Sequence, residues 1–312
     1  MERWLDVLAL GEAMVEFNQR DDRNFLCGFG GDTSNCAIAA ARMGARAGYC
    51  TQVGDDVFGD QLIDLWLAEG VDIQGVRRVS DAPTGIYFVT HGPQGHRFSY
   101  RREGSAASRI TPDCLPAQFI ESSAWLHVSG ISQAISNTAC DTVFAALERA
   151  RLAGTRVSYD LNYRPRLWSV ARARAMLLAT LAYCELFLPS VDEIEVLTGL
   201  SAPRDIIAWA HEHGAHGVAL KLGAQGCLVS DGADCVLLPP CRVQALDATG
   251  AGDCFAGAML ARLSAGAPLV EAAQVANVAA AQSTLGYGAV APLPYWADIA
   301  RSIGTGDGSV AA

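Results

Sequence analysis

The chain has 312 residues, 51% of them hydrophobic, with 33 acidic against 23 basic residues and a formal charge of −10. That composition fills one large core with room for a small appended unit and excludes a disordered chain. The acidic balance, with no Lys/Arg block, argues against a nucleic-acid partner and means that any negative ligand must be met by individual arginines.

Met1, Glu2, Arg3 and Trp4 lead directly into a strand-like run at 6–10, without the basic and apolar regions of a secretion signal. No stretch has the uninterrupted apolar length of a membrane span. Short polar-alternating runs follow at 12–18 and 24–28, and again at 85–91 and 96–102, on either side of a helix-rich stretch at 33–70. They read as antiparallel strands that meet in one small discontinuous sheet, a lid over a cleft. From about residue 123 the texture changes to strands at 125–128, 156–159, 185–188 and 217–220, alternating with helices near 138–153, 169–182, 190–198 and 203–213. Such alternation predicts an α/β fold with a mainly parallel sheet covered by helices, its ligands gathered beyond the carboxyl ends of the strands. An alanine-rich helix is expected at 269–284, and the tail at 304–309 is expected to fray. The ten cysteines include no C-x-x-C pair, which disfavours metal knuckles. Most lie in apolar runs such as 47–50 and 226–229, as small hydrophobes in a reducing cytoplasm.

The most informative stretch is Asp247, Ala248, Thr249, Gly250, Ala251, Gly252 and Asp253, followed by a helical pattern with Phe255, Met259 and Leu260 on one side. Glycines at a helix start leave backbone N–H groups and the positive dipole end facing an anion. A carboxylate on the same turn can take a proton from a hydroxyl while Gly250, Ala251 and Gly252 hold a transferring phosphoryl group. Alone, the turn reads first as a tight bend whose Asp253 complements the helix dipole. Other phosphate motifs fail. Lys221 is the only lysine and is followed by Leu222, so there is no Walker A triplet, and the dinucleotide fingerprint breaks at Phe255 and at Thr33.

With this turn at 247–253, and with Gly30, Gly31, Asn35 and Ala37 closing at Gly44 about two hundred residues earlier, the chain resembles the PfkB (ribokinase-like) carbohydrate kinases over essentially its whole length. The resemblance implies one ribokinase-like domain over 1–312, a mainly parallel sheet flanked by helices, with lid strands inserted at about 12–28 and 85–104. It implies ATP and Mg²⁺ as cofactors and Asp253 as the base. Sugar contacts would come from Gly31 and Asn35. Lys221, Gly223 and Gly226 match the family's nucleotide loop, and Asn277 would lie beside the adenine. Ser190 stands where the family usually has asparagine, three residues before Glu193, which would organise hydrated magnesium through water.

Within the family the likeness is strongest toward the 2-keto-3-deoxygluconate kinases. It is carried by Gly11 and Glu12, by 28–33, by 129–132, and above all by Asp160 to Trp168. It implies that Arg164 binds the substrate carboxylate, that Asn162 and Tyr163 line the nucleotide side, and that Tyr87, Tyr100 and Arg102 reach the substrate from the lid. Arg101 and Arg166 read as solvated neighbours, and Tyr163 and Trp168 are equally readable as packing. Lids of such enzymes often pair, so Val15, Phe17, Ile86 and Phe88, taken as exposed, suggest a homodimer. Competing readings are another sugar specificity such as fructokinase, a non-catalytic sugar-binding protein on the same fold, and a nicotinamide oxidoreductase.

Overall fold

A computed structural model describes residues 3–92 and 95–304, apart from the side chains of 95, 96 and 304. In chain order the first half runs β1 (Leu5–Leu10), β2 (Met14–Gln19), β3 (Phe25–Gly30), α1 (Asp32–Arg42), β4 (Ala47–Gly54), α2 (Val57–Ala68), β5 (Asp72–Val79), β6 (Ile86–Gly92), β7 (Gly95–Arg101), α3 (Ala117–Glu121), β8 (Ser123–Ser129), α4 (Gly130–Ala134) and α5 (Asn137–Ala153). There follow β9 (Arg156–Asp160), α6 (Val170–Leu181), β10 (Leu186–Leu188), α7 (Val191–Thr198), α8 (Pro203–Glu212), β11 (Gly217–Lys221), β12 (Cys227–Ser230), β13 (Cys235–Leu238), α9 (Ala251–Ser264), α10 (Leu269–Ser283) and α11 (Trp296–Gly304).

The large sheet has nine strands in the order β13-β12-β11-β10-β9-β8-β1-β4-β5. Its strands from β11 through to β5 pair in parallel, and β12 and β13 close one edge antiparallel. Central strands are apolar almost throughout because helices cover both faces. In β1, Val7 and Ala9 join the core shared with α1, α9 and α10, while Leu8 and Leu10 join the core shared with α5, α6 and α8. The chain leaves β1 toward β4 on one side and returns as β8 on the other, so the strand order reverses there. Loops after β1 and β8 open a crevice at that reversal, where an open α/β sheet takes its ligand.

The small sheet has the order β3-β2-β6-β7. Its outer pairs are antiparallel as expected, but β2 and β6 run parallel, Val15 opposite Ile86 and Phe17 opposite Phe88. This is what lets two hairpins, distant in sequence, share one sheet. The helix-rich stretch at 33–70 also contains β4, whose eight residues are all buried. Between two helices its apolar residues are indistinguishable by period from a helix.

The expected exposed apolar face of the lid is corrected. Val15 is fully buried, and Phe17, Ile86 and Phe88 are half-buried. Phe17 meets Phe58 of α2 edge-on at 5.8 Å and stacks on Phe88 at 5.4 Å, so this face docks largely on the chain's own helix. The cysteines form no disulfide among the described residues, and six of the ten are buried. Of the tail at 304–309, only the backbone of 304 lies within the described residues.

Candidate active site

One cavity of about 1210 Å³ lies between the lid and the carboxyl ends of the parallel strands. Its floor is the start of α9. Gly250 caps that helix with φ +77°, a left-handed conformation in which a Cβ would stand 3.0 Å from the carbonyl of Ala289. Asp247 builds the turn, accepting from the Thr249 N–H at 2.9 Å and hydroxyl at 2.6 Å and from the Gly288 N–H at 2.9 Å. No side chain caps α9, so the amides at its first turn are left for a ligand. Ala251 is the exception. Its N–H donates to the Ala248 carbonyl at 3.2 Å and it does not line the cavity, whereas Gly250, Gly252 and Asp253 do.

Asp253 sits on this turn and accepts from Asn35 Nδ2 at 2.8 Å. The pairing depends on close packing of α1 on α9. A Cβ on Gly257 would stand 2.4 Å from the carbonyl of Cys36, so only glycine lets the two backbones approach this far. Burial, then the neighbouring Asp32 carboxylate, push the Asp253 carboxyl well above its ordinary value, against the opposing Asn35 hydrogen bond. An aspartate in that setting is a stronger proton acceptor than one in water. Asn35 Oδ1 is buried with no hydrogen-bond partner in the protein.

Two further carboxylates converge here without having been singled out by sequence. Asp32, at the start of α1, accepts from Asn162 Nδ2 at 2.8 Å. Asp160, at the end of β9, accepts from Lys221 Nζ with both oxygens, at 2.8 and 2.9 Å. Burial alone would lower the Lys221 ammonium, but the charges of Asp160 and Glu193 outweigh it and hold it above its ordinary value. Lys221 therefore stays cationic beside the α9 turn, where a Cβ on Gly252 would be 3.6 Å from its Nζ. Asn162 has φ +37°, the only positive value outside glycine among the described residues. Its hydrogen bonds to Asp32 and Asp160 hold that conformation at the cavity wall.

The lid supplies Tyr87, Phe98, Tyr100 and Arg102 to the same cavity. Tyr87 donates its hydroxyl to Glu16 and stacks on Tyr100 at 5.7 Å. Gly30 is required beneath it, since a Cβ there would reach the Tyr87 hydroxyl. Arg102 pairs with Glu12 of the body at 2.9 Å, so the arginine read as free for a substrate is already partly compensated. Arg164 lines the opposite wall, is exposed, and has no ion pair among the described residues. Arg101 and Arg166 are exposed at the same rim, each donating to a lid carbonyl.

Gly31, Asn35, Tyr87, Tyr100, Arg102, Asn162, Arg164, Lys221, Gly250, Gly252 and Asp253 are thus brought together, and the remaining expected residues lie outside the lining. Ser190 and Glu193 form a capping box at the start of α7. Both Glu193 oxygens accept backbone N–H groups, from Tyr163 at 2.9 Å and Ser190 at 3.0 Å, which braces the loop carrying Arg164. Gly223 and Gly226, with φ of +58° and +94°, shape the turn between β11 and β12. Asn277 donates to the Pro239 carbonyl at 2.7 Å. Tyr163 and Trp168 are buried in the core under α6 and α7. Glu12, Asp32 and Asp160 were missed as individual contributors, although each lies within a passage that carried the family likeness.

The chain matches the model of the pfkB family of carbohydrate kinases over residues 5–296. It is 33% identical to the 2-dehydro-3-deoxygluconokinase of Thermoproteus tenax, covering 91% of this chain and 89% of that one. It is also 33% identical to maize fructokinase-1, covering 95% and 97%. Among solved structures, a putative ribokinase II from E. coli in complex with ATP and Mg²⁺ superposes with a TM-score of 0.89 at 26% identity, over 98% of this chain and all of that one (100%). No helix among the described residues is long and apolar enough to cross a membrane. A match from the first strand to the last helix, over a cavity whose floor is a helix start without a side-chain cap, fixes the class of reaction, and the chain belongs to the pfkB family of carbohydrate kinases.

Proposed function

We propose that this kinase transfers the γ-phosphoryl group of ATP to the terminal hydroxyl of 2-dehydro-3-deoxy-D-gluconate, giving its 6-phosphate and ADP. The observation that carries the reading is Asp253 set beside the uncapped start of α9, in a cavity that also holds the unpaired Arg164. The Thermoproteus relative at 33% identity, named for this substrate, supports the choice.

In this reading Asp253 takes the proton of the sugar hydroxyl as the oxygen bonds to the γ-phosphorus. The bond from that phosphorus to the bridging oxygen breaks, and ADP leaves with the electron pair. The amides of Gly250, Gly252 and Asp253, with Lys221, face the negative oxygens of the group in transfer. Arg164 and Arg102 meet the sugar carboxylate as planar forks, Gly31 and Asn35 meet hydroxyls, and Tyr87 and Tyr100 close the cavity against water. Ser190, Gly223, Gly226 and Asn277 frame the nucleotide side at one remove from the cavity.

No cluster of three or more His, Cys, Asp or Glu side chains able to cage a metal exists among the described residues. The chain therefore fits magnesium carried by nucleotide phosphates and water, with Glu193 reached through a water, rather than a caged ion. Such an ion would spread the negative charge of the phosphates.

Release of ADP measured across a panel of keto acids, neutral ketoses and nucleosides tests the reading. The keto acid is expected to give the highest kcat/KM. A higher value for fructose would replace it with the fructokinase reading, which the similarity to the maize enzyme and the Glu12–Arg102 pair favour. No sugar-dependent ADP release at all would sink both. Pairing of two copies through the lid is part of the proposal, with exposed Phe25 and Leu26 on the edge strand β3 as the surface and sedimentation velocity as its check.

A further inference from the structure

The loop after β1 places Glu12 beneath the cavity at 1% exposure, its Oε2 2.9 Å from Arg102 Nη2, with the arginine side chain itself only 13% exposed. Ser105 Oγ donates to Glu12 Oε1 at 3.4 Å. Gly85 closes another side, where a Cβ would stand 3.4 Å from the same oxygen. The guanidinium is only partly satisfied. Its Nε is buried without a hydrogen-bond partner, and the Tyr100 ring covers its carbon at 4.8 Å. Arg102 thus faces Glu12 at ion-pair distance, with Glu12 Oε2 itself left without a hydrogen bond, while lining the cavity that receives the substrate.

A carboxylate arriving at Arg102 would leave two carboxylates sharing one guanidinium where water cannot screen them. Like charges so placed do not both stay ionised. We propose that Glu12 is a positioning residue acting through Arg102, and that binding of an acidic sugar makes Glu12 take up a proton. This rests on the acid-substrate reading above. Around Glu12 the titratable and charged groups are Arg102 after β7, Asp32 at the start of α1 and Tyr49 on β4. Burial pushes the Glu12 carboxyl up to about 7, with Arg102 opposing and Asp32 adding. Glu12 is therefore divided between its two forms near neutrality, and a second carboxylate tips it to the protonated one. By linkage, affinity for the acid falls as pH rises past that value, while a neutral ketose is indifferent to it.

Calorimetric titration of the full chain with the keto acid, in two buffers of different ionisation enthalpy at pH 7.5, reads the proton directly. Uptake of about half a proton or more per acid bound is expected, and none with fructose. The KM for the acid should rise roughly tenfold per pH unit above neutrality, with no such rise for fructose. Glu12→Gln should abolish the proton uptake and flatten KM against pH. Acid binding with buffer-independent heat overturns the coupling and leaves the acid reading standing, as does a Glu12→Gln enzyme that keeps the pH dependence. Binding of fructose but not of the acid overturns both. If Glu12→Gln fails to fold, the calorimetry of the unaltered chain decides alone.

Discussion

In the nine-stranded body, the turns at the cavity floor are shaped by bonds within a few residues, although their side chains also meet distant ones, Asp253 with Asn35 and Asp160 with Lys221. Asp247 holds the Thr249 amide and hydroxyl, Gly250 turns the chain into α9, and Asp160 holds the Asn162 amide at 3.2 Å. In the four-stranded lid, Tyr87 is held by Glu16, 71 residues away, and Arg102 by Glu12 of the body. The body's turns follow from local chemistry, whereas the lid's sheet exists only once two hairpins have found each other. In the proposed reading the transfer chemistry belongs to the body and the choice of sugar to cavity walls that body and lid share.

The sharpest way to break that division is at Asp253. Asp253→Asn keeps the hydrogen-bonding size of the side chain and removes its basicity, so kcat should fall by roughly 10²–10⁴. The KM values for ATP and sugar should stay within a few-fold. Because burial and Asp32 raise the Asp253 carboxyl, activity of the unaltered enzyme should climb with pH as that group loses its proton, well above the ordinary carboxylate range. The variant should lack this limb. Near-normal turnover in the variant, measured at saturating substrates, would move the chemistry away from α9.

Arg164→Ala sharpens the other half. Loss of a charge-assisted contact of about 1.5–3 kcal/mol predicts a roughly 10- to 100-fold drop in kcat/KM for the keto acid and little change for fructose. Equal losses for both sugars would mean that Arg164 supports the loop rather than the carboxylate. Gly31→Ala tests the joint between the two regions. At φ +126° a Cβ would stand 2.4 Å from the Glu12 carbonyl, so the loop under Arg102 must shift. Thermal unfolding should show a loss of about 1–3 kcal/mol, and unchanged stability would mean that the joint yields without strain.

These two kinds of support explain what the sequence revealed. The alternation of 123–220, the glycine turn before Asp253 and the paired motif at Asn35 are local patterns, and the structure has each of them. The strand β4 escaped notice because a buried strand between two helices has no period of its own. The parallel β2–β6 pairing, the burial of Val15 against α2 and the compensation of Arg102 by Glu12 depend on contacts between segments far apart in sequence, where no local signal exists. Asp160 could have been found because the lone lysine of so apolar a chain needs a partner.

The smallest expected effect bears on how far the body's local logic extends. Asn277, on α10, was expected beside the nucleotide, yet its Nδ2 donates to the Pro239 carbonyl at 2.7 Å and it does not line the cavity. Asn277→Ala removes one partly exposed hydrogen bond, so stability should fall by about 0.5–1.5 kcal/mol. Pro239 follows β13 and leads toward the 247–253 turn, which Asp247 holds independently through Thr249 and Gly288. The turn should therefore keep its shape, and the KM for ATP should change by less than about threefold, since no charged contact is lost. A tenfold rise in that KM with unfolding unaffected would show that Asn277 leaves Pro239 to meet the nucleotide. The body would then also depend on a contact that forms only when its ligand is bound.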